Sequence, residues 1–201
     1  MSAGPERIDV SGLPDYAFGH RSRLWWGTAG FILIESTAFA LALFAYFYLR
    51  SKLPEWPPGV PPPDLLWGTM NTLVLLASAV PNQWAKNAAE EQQLGPVRLW
   101  LVVCLAFGAV FLIIRGFEFT TLNCAWDTNA YGSIVWVIMG LHTVHLLTDL
   151  VDTGVLTALM FTRHAHGRRF VDVSENAFYW YFVVLVWLPL YALIYWVPRL
   201  G

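Results

Sequence analysis

The sequence is poor in charged residues. It holds 12 Lys and Arg and 14 Asp and Glu among 201 residues, a charged fraction of 13 %, whereas a soluble domain carries about 25 %. The formal net charge of −2 leaves no surplus of basic residues for a phosphate backbone, which excludes a nucleic-acid partner. The hydrophobic fraction of 57 % instead indicates a membrane protein.

Cysteine and the common catalytic motifs are also scarce. The two cysteines, Cys104 and Cys124, are too far apart in the predicted topology to form a disulfide. The sequence contains no Cys-x-x-Cys pair, no glycine-rich phosphate-binding loop and no nucleophile beside a general base. We therefore expect no catalytic residues in this chain.

Long apolar stretches make up most of the sequence. They lie at 24–49, 66–85, 97–117, 131–161 and 177–198. Each is long enough to cross a hydrocarbon core of about 30 Å as a helix. The sequence therefore predicts an all-α integral membrane protein, a bundle of five transmembrane helices.

The distribution of Lys and Arg predicts how the bundle is oriented. Basic residues are concentrated in the N-terminal arm, the second connection and the fourth connection, which lie on one side of the membrane. Because positive flanks stay on the cytoplasmic side, we expect a cytoplasmic N-terminus and an outer C-terminus. We divide the chain into a cytoplasmic arm, 1–23, and a transmembrane domain, 24–201.

Turn and capping signals predict where the helices begin. Prolines in the first connection, 51–64, exclude a helix there and predict a fixed, extended outer loop. Asp127 and Thr128 are the predicted N-caps of the fourth helix. Ser174, followed by Glu175, is the predicted N-cap of the fifth.

Glu35 lies near the middle of the first predicted helix, where a charged side chain facing lipid costs about 2.5–3.5 kcal/mol. Ala38, Ala42 and Ala45 follow it on one face, which suits close helix packing. We therefore expect Glu35 to point into protein. It is either a protonatable site or a carboxyl that joins two helices by a hydrogen bond.

A second set of ionisable residues lies on the fourth predicted helix. His142, His145, Asp149 and Asp152 fall within about 80° of one helical face, at 100° per residue. The two histidines reach a depth that allows contact with Glu35. Two histidines are too few for a metal site, since His20, His164 and His166 lie in flanks and loops, so a proton-linked or structural polar network is favoured over metal or haem.

Residues near the helix ends complete the candidate set. Arg115 and Glu118 are three residues apart and can form an ion pair, with snorkelling to the interface as the alternative. Tryptophans near helix ends predict interfacial anchors. These are Trp25, Trp26, Trp67, Trp84, Trp180 and Trp196.

Five strings, in order along the chain, resemble motifs of the cytochrome c oxidase subunit III family. They are FILIESTAFALALFAYFYLR, NTLVLLASAV, FLIIRGFEF, YGSIVWVIMGLHTVH and YWYFVVLVWLPLYALIYW. Glu35 resembles the family's membrane-buried glutamate, Glu118 its glutamate before an aromatic, and His142 and His145 its paired histidines. Glu175 takes the place of its leading acid. The resemblance runs from about Leu24 to the C-terminus and matches the last five of seven helices in longer members.

This resemblance implies a non-redox, non-catalytic subunit of a respiratory haem-copper oxidase in a bacterial inner membrane. Such a subunit packs against subunit I, in a complex that includes subunit II, stabilises the haem-copper core and supports proton uptake for the reduction of oxygen to water. Haem and copper are then expected in the partner subunits, none in this chain, and phospholipid is a further candidate ligand. An accessory subunit of a quinol oxidase or nitric oxide reductase fits the same fold.

The sequence also departs from the family pattern. Tyr181 and Val184 stand where the last helix of the family usually has His and Asp, and Arg115 stands where Gln is common. Asp149 and Asp152 occupy positions that are normally small or apolar, and we hypothesise that they partly replace the lost pair. A small stand-alone proton-linked transporter is the alternative from another class, although the uninterrupted, unrepeated helices argue against it.

Overall fold

A computed structural model of the chain describes residues 16–163 and 165–200, and its regular structure is helical. Most of the predicted arm, 1–23, lies outside the described residues. The long helices are α1 (Arg23–Lys52), α2 (Leu65–Glu90), α3 (Leu94–Thr120), α4 (Ala130–Met160) and α5 (Arg168–Tyr191). Each of the five apolar stretches therefore forms a helix, as predicted.

Four of the helices in the described part of the chain are long and apolar enough to cross a membrane: α1, α3, α4 and the continuous segment Arg168–Leu200. The helix α2 has 26 residues but is more polar. Four of its polar side chains face protein, since Asn71, Thr72, Ser78 and Asn82 are buried.

The helices run alternately up and down, so that their connections gather at two ends. At one end Gln92 Nε2, after α2, donates to the Tyr16 hydroxyl at 2.8 Å, and Arg98 Nε donates to Met160 O at 2.7 Å. At the other end Asn123 Nδ2, after α3, donates to Pro62 O at 3.0 Å. At each end of the bundle, hydrogen bonds therefore join segments that are distant in sequence.

The proline-rich connection is fixed against the bundle, as predicted. Trp56 is buried and packs edge-on against Tyr46 and Tyr131, with ring centroids 5.1 Å away in both cases. Its Nε1 donates to the Tyr46 hydroxyl at 2.8 Å, and that hydroxyl donates to Leu193 O at 3.1 Å. The loop thus ties the end of α1 to the C-terminal segment.

Both capping predictions were wrong. The N-cap of α4 is Asn129, whose Oδ1 accepts from Gly132 N at 2.8 Å, while Thr128 Oγ1 accepts from Ala125 N in the preceding turn. The helix α5 begins at Arg168, so Ser174 and Glu175 lie inside it and are buried. The helix already includes the polar residues before Ala177. Ser174 and Glu175 are buried against neighbouring helices, so no helix end lies in solvent there.

The C-terminal part of α5 changes its hydrogen-bonding pattern after a proline. Pro189 lies inside α5, and a π-helical turn, Ala192–Trp196, follows before a last helical turn, α6 (Val197–Leu200). Proline has no N–H to donate and its ring crowds the preceding turn, which favours a local change of helical pitch. This region places Tyr195 in the core, where it is 1 % exposed.

Two of the smaller packing predictions also differ from the structure. Trp180 is no interfacial anchor, since it is buried and its Nε1 donates to Ser78 Oγ at 2.9 Å. On the small-residue face of α1, Ala42 is buried but Ala38 is exposed. The wide side chains Phe39 and Tyr46, both buried, make the main contacts of α1 instead.

Candidate functional site

A buried polar network, here called the Arg115 network, joins α2, α3, α4, α5 and the π-helical turn. Its members are Asn71, Arg115, Glu118, His142 and Tyr195, and none of them is more than 1 % exposed. The predicted ion pair is present, with Arg115 Nη1 3.0 Å from Glu118 Oε2. Snorkelling to the interface is wrong for both side chains, because they point into the bundle.

Glu118 accepts hydrogen bonds from two further helical segments. Asn71 Nδ2 donates to its Oε2 at 2.8 Å, and the Tyr195 hydroxyl donates to its Oε1. Tyr195 reaches this position by passing close to Gly68, where an added Cβ would lie 2.4 Å from the Tyr195 ring. A glycine is therefore required at that point of α2.

Arg115 is held by aromatic and sulfur contacts as well as by charge. Its guanidinium carbon lies 4.1 Å from the ring centroid of Trp187 and 4.8 Å from that of Phe111. Its Nη1 donates to Met139 Sδ at 3.0 Å. A guanidinium stacks well on aromatic faces because it is planar and weakly hydrated, so this position suits arginine better than lysine.

His142 connects the network to α5 as a neutral imidazole. Arg115 Nη2 donates to its Nδ1 at 3.4 Å, and its Nε2 lies 3.1 Å from Val183 O, which can only accept. Nδ1 is therefore the acceptor and Nε2 carries the proton. Its ring also packs 4.7 Å from Trp187. His142 does not contact Glu35.

Glu35 instead contacts His145, as its predicted depth allowed. Glu35 Oε1 lies 3.4 Å from His145 Nε2, and Glu35 Oε2 accepts from the Tyr179 hydroxyl at 2.6 Å. His145 Nδ1 lies 2.6 Å from Leu141 O, so Nδ1 carries a proton. One further proton can be held between Oε1 and Nε2. We call Glu35, His145 and Tyr179 the Glu35 cluster.

The Glu35 cluster lies at the deep end of a cavity between α1, α4 and α5. The cavity has a volume of about 820 Å³. The carboxylates that line it are Glu35, Asp149, Asp152, Asp172 and Glu175, and we call it the acidic cleft. Since Leu24 and Glu35 both line it, it extends for about 17 Å along α1 at 1.5 Å per residue.

Asn176 is the main partner of the two fourth-helix aspartates. Its Nδ2 lies 3.4 Å from Asp149 Oδ1 and 3.3 Å from Asp152 Oδ2, and its Oδ1 accepts from Thr153 Oγ1. Asp149 is buried and Asp152 is exposed. At the two last-helix positions where the resemblance led us to expect His and Asp, the Tyr181 hydroxyl donates to Gln83 Oε1 and Val184 is buried.

The structure therefore divides the predicted site residues into three groups. Arg115, Glu118 and His142 belong to the Arg115 network, Glu35 and His145 to the Glu35 cluster, and Asp149, Asp152 and Glu175 to the acidic cleft. Sequence reasoning missed Asn71, Tyr179, Asn176 and Tyr195. An asparagine inside an apolar helix is a usable signal, since it must find a hydrogen bond, but the two tyrosines resemble ordinary interfacial aromatics.

Comparison with known proteins gives a consistent result. A sequence profile of the family described as Cytochrome c oxidase subunit III matches residues 13–198. Among curated proteins the chain is similar to Cytochrome c oxidase subunit 3 of Thermostichus vulcanus, with 29 % identity over 92 % of this chain and 92 % of the relative.

Two longer relatives bear the same name. The chain is 29 % identical to the protein of Synechocystis sp., over 88 % of this chain and 77 % of the relative. It is 31 % identical to that of Tachyglossus aculeatus aculeatus, over 89 % of this chain and 73 % of the relative.

Proposed function

The chain belongs to the cytochrome c oxidase subunit III family, and on this premise we propose that it is the non-redox subunit that stabilises subunit I and supports proton uptake. Family membership makes it a multi-pass membrane protein and a respiratory oxidase subunit, one component of a complex with other subunits. In the proposed complex haem and copper reside in subunits I and II, and phospholipid binds to the exposed apolar helix faces.

The observation that carries the proton-uptake proposal is the geometry of the Glu35 cluster. Glu35 and His145 share a site for one proton, and Tyr179 holds the other carboxyl oxygen of Glu35 in place. The side chains of Glu35 and His145 are only 16 % and 11 % exposed. A carboxyl and an imidazole in contact can exchange a proton with little movement of heavy atoms, which is the chemistry of a proton relay.

The acidic cleft supplies the approach to this relay. Its carboxylates extend from Asp172, near the start of α5, through Asp152 and Asp149 to Glu35. The start of α5 is at the same end of the bundle as the start of α1. In our proposal this end faces the cytoplasm of a bacterial cell, α2 crosses the membrane with the other four helices, and the C-terminus lies outside.

Substitution of Glu35 in the assembled oxidase tests the proposal. Glu35→Gln keeps the size of the side chain and its bond to Tyr179 but cannot exchange a proton. We expect proton uptake from the inner side to slow about 10²-fold, the lower end of the 10²–10⁴ range that positioned proton-transfer groups contribute, while the haem spectrum stays unchanged.

Asp127→Asn, an exposed residue in an outer connection, is the matched control and should leave uptake unchanged. Normal proton uptake in the Glu35→Gln variant would contradict the relay and show that the Glu35 cluster only packs the helices together. Absence of a haem-containing partner after purification in mild detergent would contradict the subunit assignment itself.

A further inference from the structure

A small internal cavity lies where α2, α3, α4 and α5 meet. Asn82, Cys104, Asp149 and Asn176 line it, one from each of these helices. Asp149 and Asn176 also line the acidic cleft, so they form part of the wall between the two spaces. The cavity has a volume of about 10 Å³, which gives room for one water molecule and for no larger ligand.

Asp149, which lines the cavity, has a buried carboxyl oxygen without a partner. The residue is 3 % exposed, and its Oδ2 receives no hydrogen bond. Its Oδ1 receives only the Asn176 amide at 3.4 Å, which is long for a hydrogen bond. Buried polar atoms without partners are rare in native proteins, so Asp149 Oδ2 calls for a donor that the neighbouring side chains do not supply.

The other polar side chains around the cavity determine what kind of molecule fits. Asn82 Nδ2 donates to Ala177 O at 3.0 Å, and Thr153 Oγ1 donates to Asn176 Oδ1 at 3.1 Å. Because the Thr153 hydroxyl has only one hydrogen, it can make a further hydrogen bond only as an acceptor. The thiol of Cys104, in contrast, is a weak donor. The cavity therefore offers two acceptors and one donor, which matches the two hydrogens and the oxygen of a water molecule.

A metal ion fits this cavity less well than water does. Mg²⁺ and Ca²⁺ bind about six or more oxygen ligands, whereas a buried water needs only about three hydrogen bonds. Among the described residues no three His, Cys, Asp or Glu side chains are close enough together to hold a metal ion. The size and the chemistry of the cavity thus agree on a single neutral ligand.

We propose that this cavity binds one water molecule, which donates to Asp149 Oδ2 and Thr153 Oγ1 and accepts from the Cys104 thiol. The water joins α3 to α4 directly and reaches α5 through the bond between Thr153 and Asn176. An apolar residue at position 149 could not hold it. The proposal is independent of the proton relay, because no member of the Glu35 cluster lines the cavity.

Electron cryo-microscopy of the purified oxidase complex that contains this chain, at a resolution that shows ordered waters, tests the site. We expect a density peak about 2.5–3.0 Å from Asp149 Oδ2. Asp149→Leu is close in size but has no acceptor, so this variant should lose the peak. Asp152→Leu is the matched control, since it makes the same change one turn along α4 at an exposed residue outside the cavity, and it should keep the peak.

The infrared S–H stretching band of Cys104 gives a second measurement that does not require the Asp149→Leu variant to fold. The difference from the spectrum of Cys104→Ala identifies the band. We expect it at the lowered frequency of a hydrogen-bonded thiol, and Thr153→Val, which removes one partner of the water without changing size, should move it toward the frequency of a free thiol. Thr157→Val, at a buried position of α4 outside the cavity, should leave it unchanged.

Several results would overturn the proposal. They are the absence of a peak beside Asp149 Oδ2 in the unaltered complex, its persistence in Asp149→Leu, and a Cys104 band at the free-thiol frequency. Loss of the peak when Na⁺ and K⁺ are replaced by choline would also overturn it, because the ligand would then be a cation. A peak that is independent of these ions and absent from Asp149→Leu supports the water site.

Discussion

Arg115 shows how a full charge is accommodated in the interior of this bundle. Its guanidinium contacts a carboxylate, a thioether and two aromatic faces, and its remaining Nε has no partner. Glu118 in turn accepts from Asn71 and Tyr195. The charges therefore compensate one another, and removal of one alone leaves the other buried without its counterpart.

Replacing Glu118 alone should be strongly destabilising. Glu118→Gln keeps the shape and an acceptor for Asn71 but leaves Arg115 uncompensated at 1 % exposure. We expect a loss of about 3–5 kcal/mol in the free energy of unfolding, the range for breaking one side of a buried ion pair. Unfolding by sodium dodecyl sulfate in mixed micelles measures this loss in the free energy of unfolding.

The double variant is the informative control for this pair. Arg115→Gln with Glu118→Gln removes both charges together and leaves neither charge buried alone. We expect the double variant to be more stable than Glu118→Gln. Losses that simply add would show that the two charges do not compensate each other.

The sequence predicted which side chains avoid lipid but only part of their pairing. Glu35 and His145 meet as their depth allowed, whereas His142 turns toward Arg115. The two histidines differ by about 60° around α4, given that they are three residues apart at 100° each. Because of this angle His145 faces α1 and His142 faces α3. Only the packing of the neighbouring helices shows which histidine meets which helix.

The start of α4 shows how a connection is attached to a helix. Asn129 Oδ1 accepts from Gly132 N, and its Nδ2 donates to Pro58 O at 3.2 Å in the first connection. One side chain thus caps the helix and holds the proline-rich loop. Asp127, the predicted cap, is exposed and lies two residues earlier.

Two alanine substitutions distinguish the observed cap from the predicted one. Asn129→Ala should lower the free energy of unfolding by about 0.5–2 kcal/mol through loss of the cap, and the lost bond to Pro58 adds to it. Asp127→Ala should change it by no more than about 0.5 kcal/mol, as for other exposed positions. Thermal unfolding of the purified complex compares the stability of the two variants. Equal losses of stability would contradict the assignment of Asn129 as the cap.

The length of the apolar stretches was a sufficient guide to the number of helices, because 20 or more apolar residues leave few alternatives to a helix. The helix ends were less predictable. The helix α5 begins at Arg168, nine residues before the apolar stretch, since Phe170, Val171 and Val173 are buried against its neighbours. Polar residues at a helix end indicate a cap only where that end is in water.

The packing of the whole bundle explains the buried polar residues of α2. This helix lies between α3 and α5, and Asn71, Thr72, Ser78 and Asn82 are buried. Trp180 and Trp187 of α5 donate to Ser78 and Thr72 at 2.9 and 2.8 Å. Low hydropathy is therefore compatible with a transmembrane helix whose polar face packs against neighbouring helices.

The proposed orientation predicts which connections a membrane-impermeant maleimide reaches in intact cells. Glu55, after α1, and Glu91, after α2, are both exposed and lie at opposite ends of the bundle. Glu55→Cys should be labelled from outside, and Glu91→Cys only after the membrane is permeabilised, because basic connections remain cytoplasmic. The reverse pattern would invert the orientation and place the entrance of the acidic cleft on the outer side.

The native cysteines determine the background of this measurement. Cys104 lies within α3, which is long and apolar enough to cross a membrane, and Cys124 is buried in the connection before α4. Burial raises the pKa of the Cys124 thiol, so at pH 7 it holds less of the reactive thiolate than a free cysteine does. Labelling of the unaltered chain should therefore be slow at pH 7 and increase as the pH is raised, whereas the exposed Glu55→Cys thiol reacts at pH 7. Fast labelling of the unaltered chain at pH 7 would contradict the burial of Cys124.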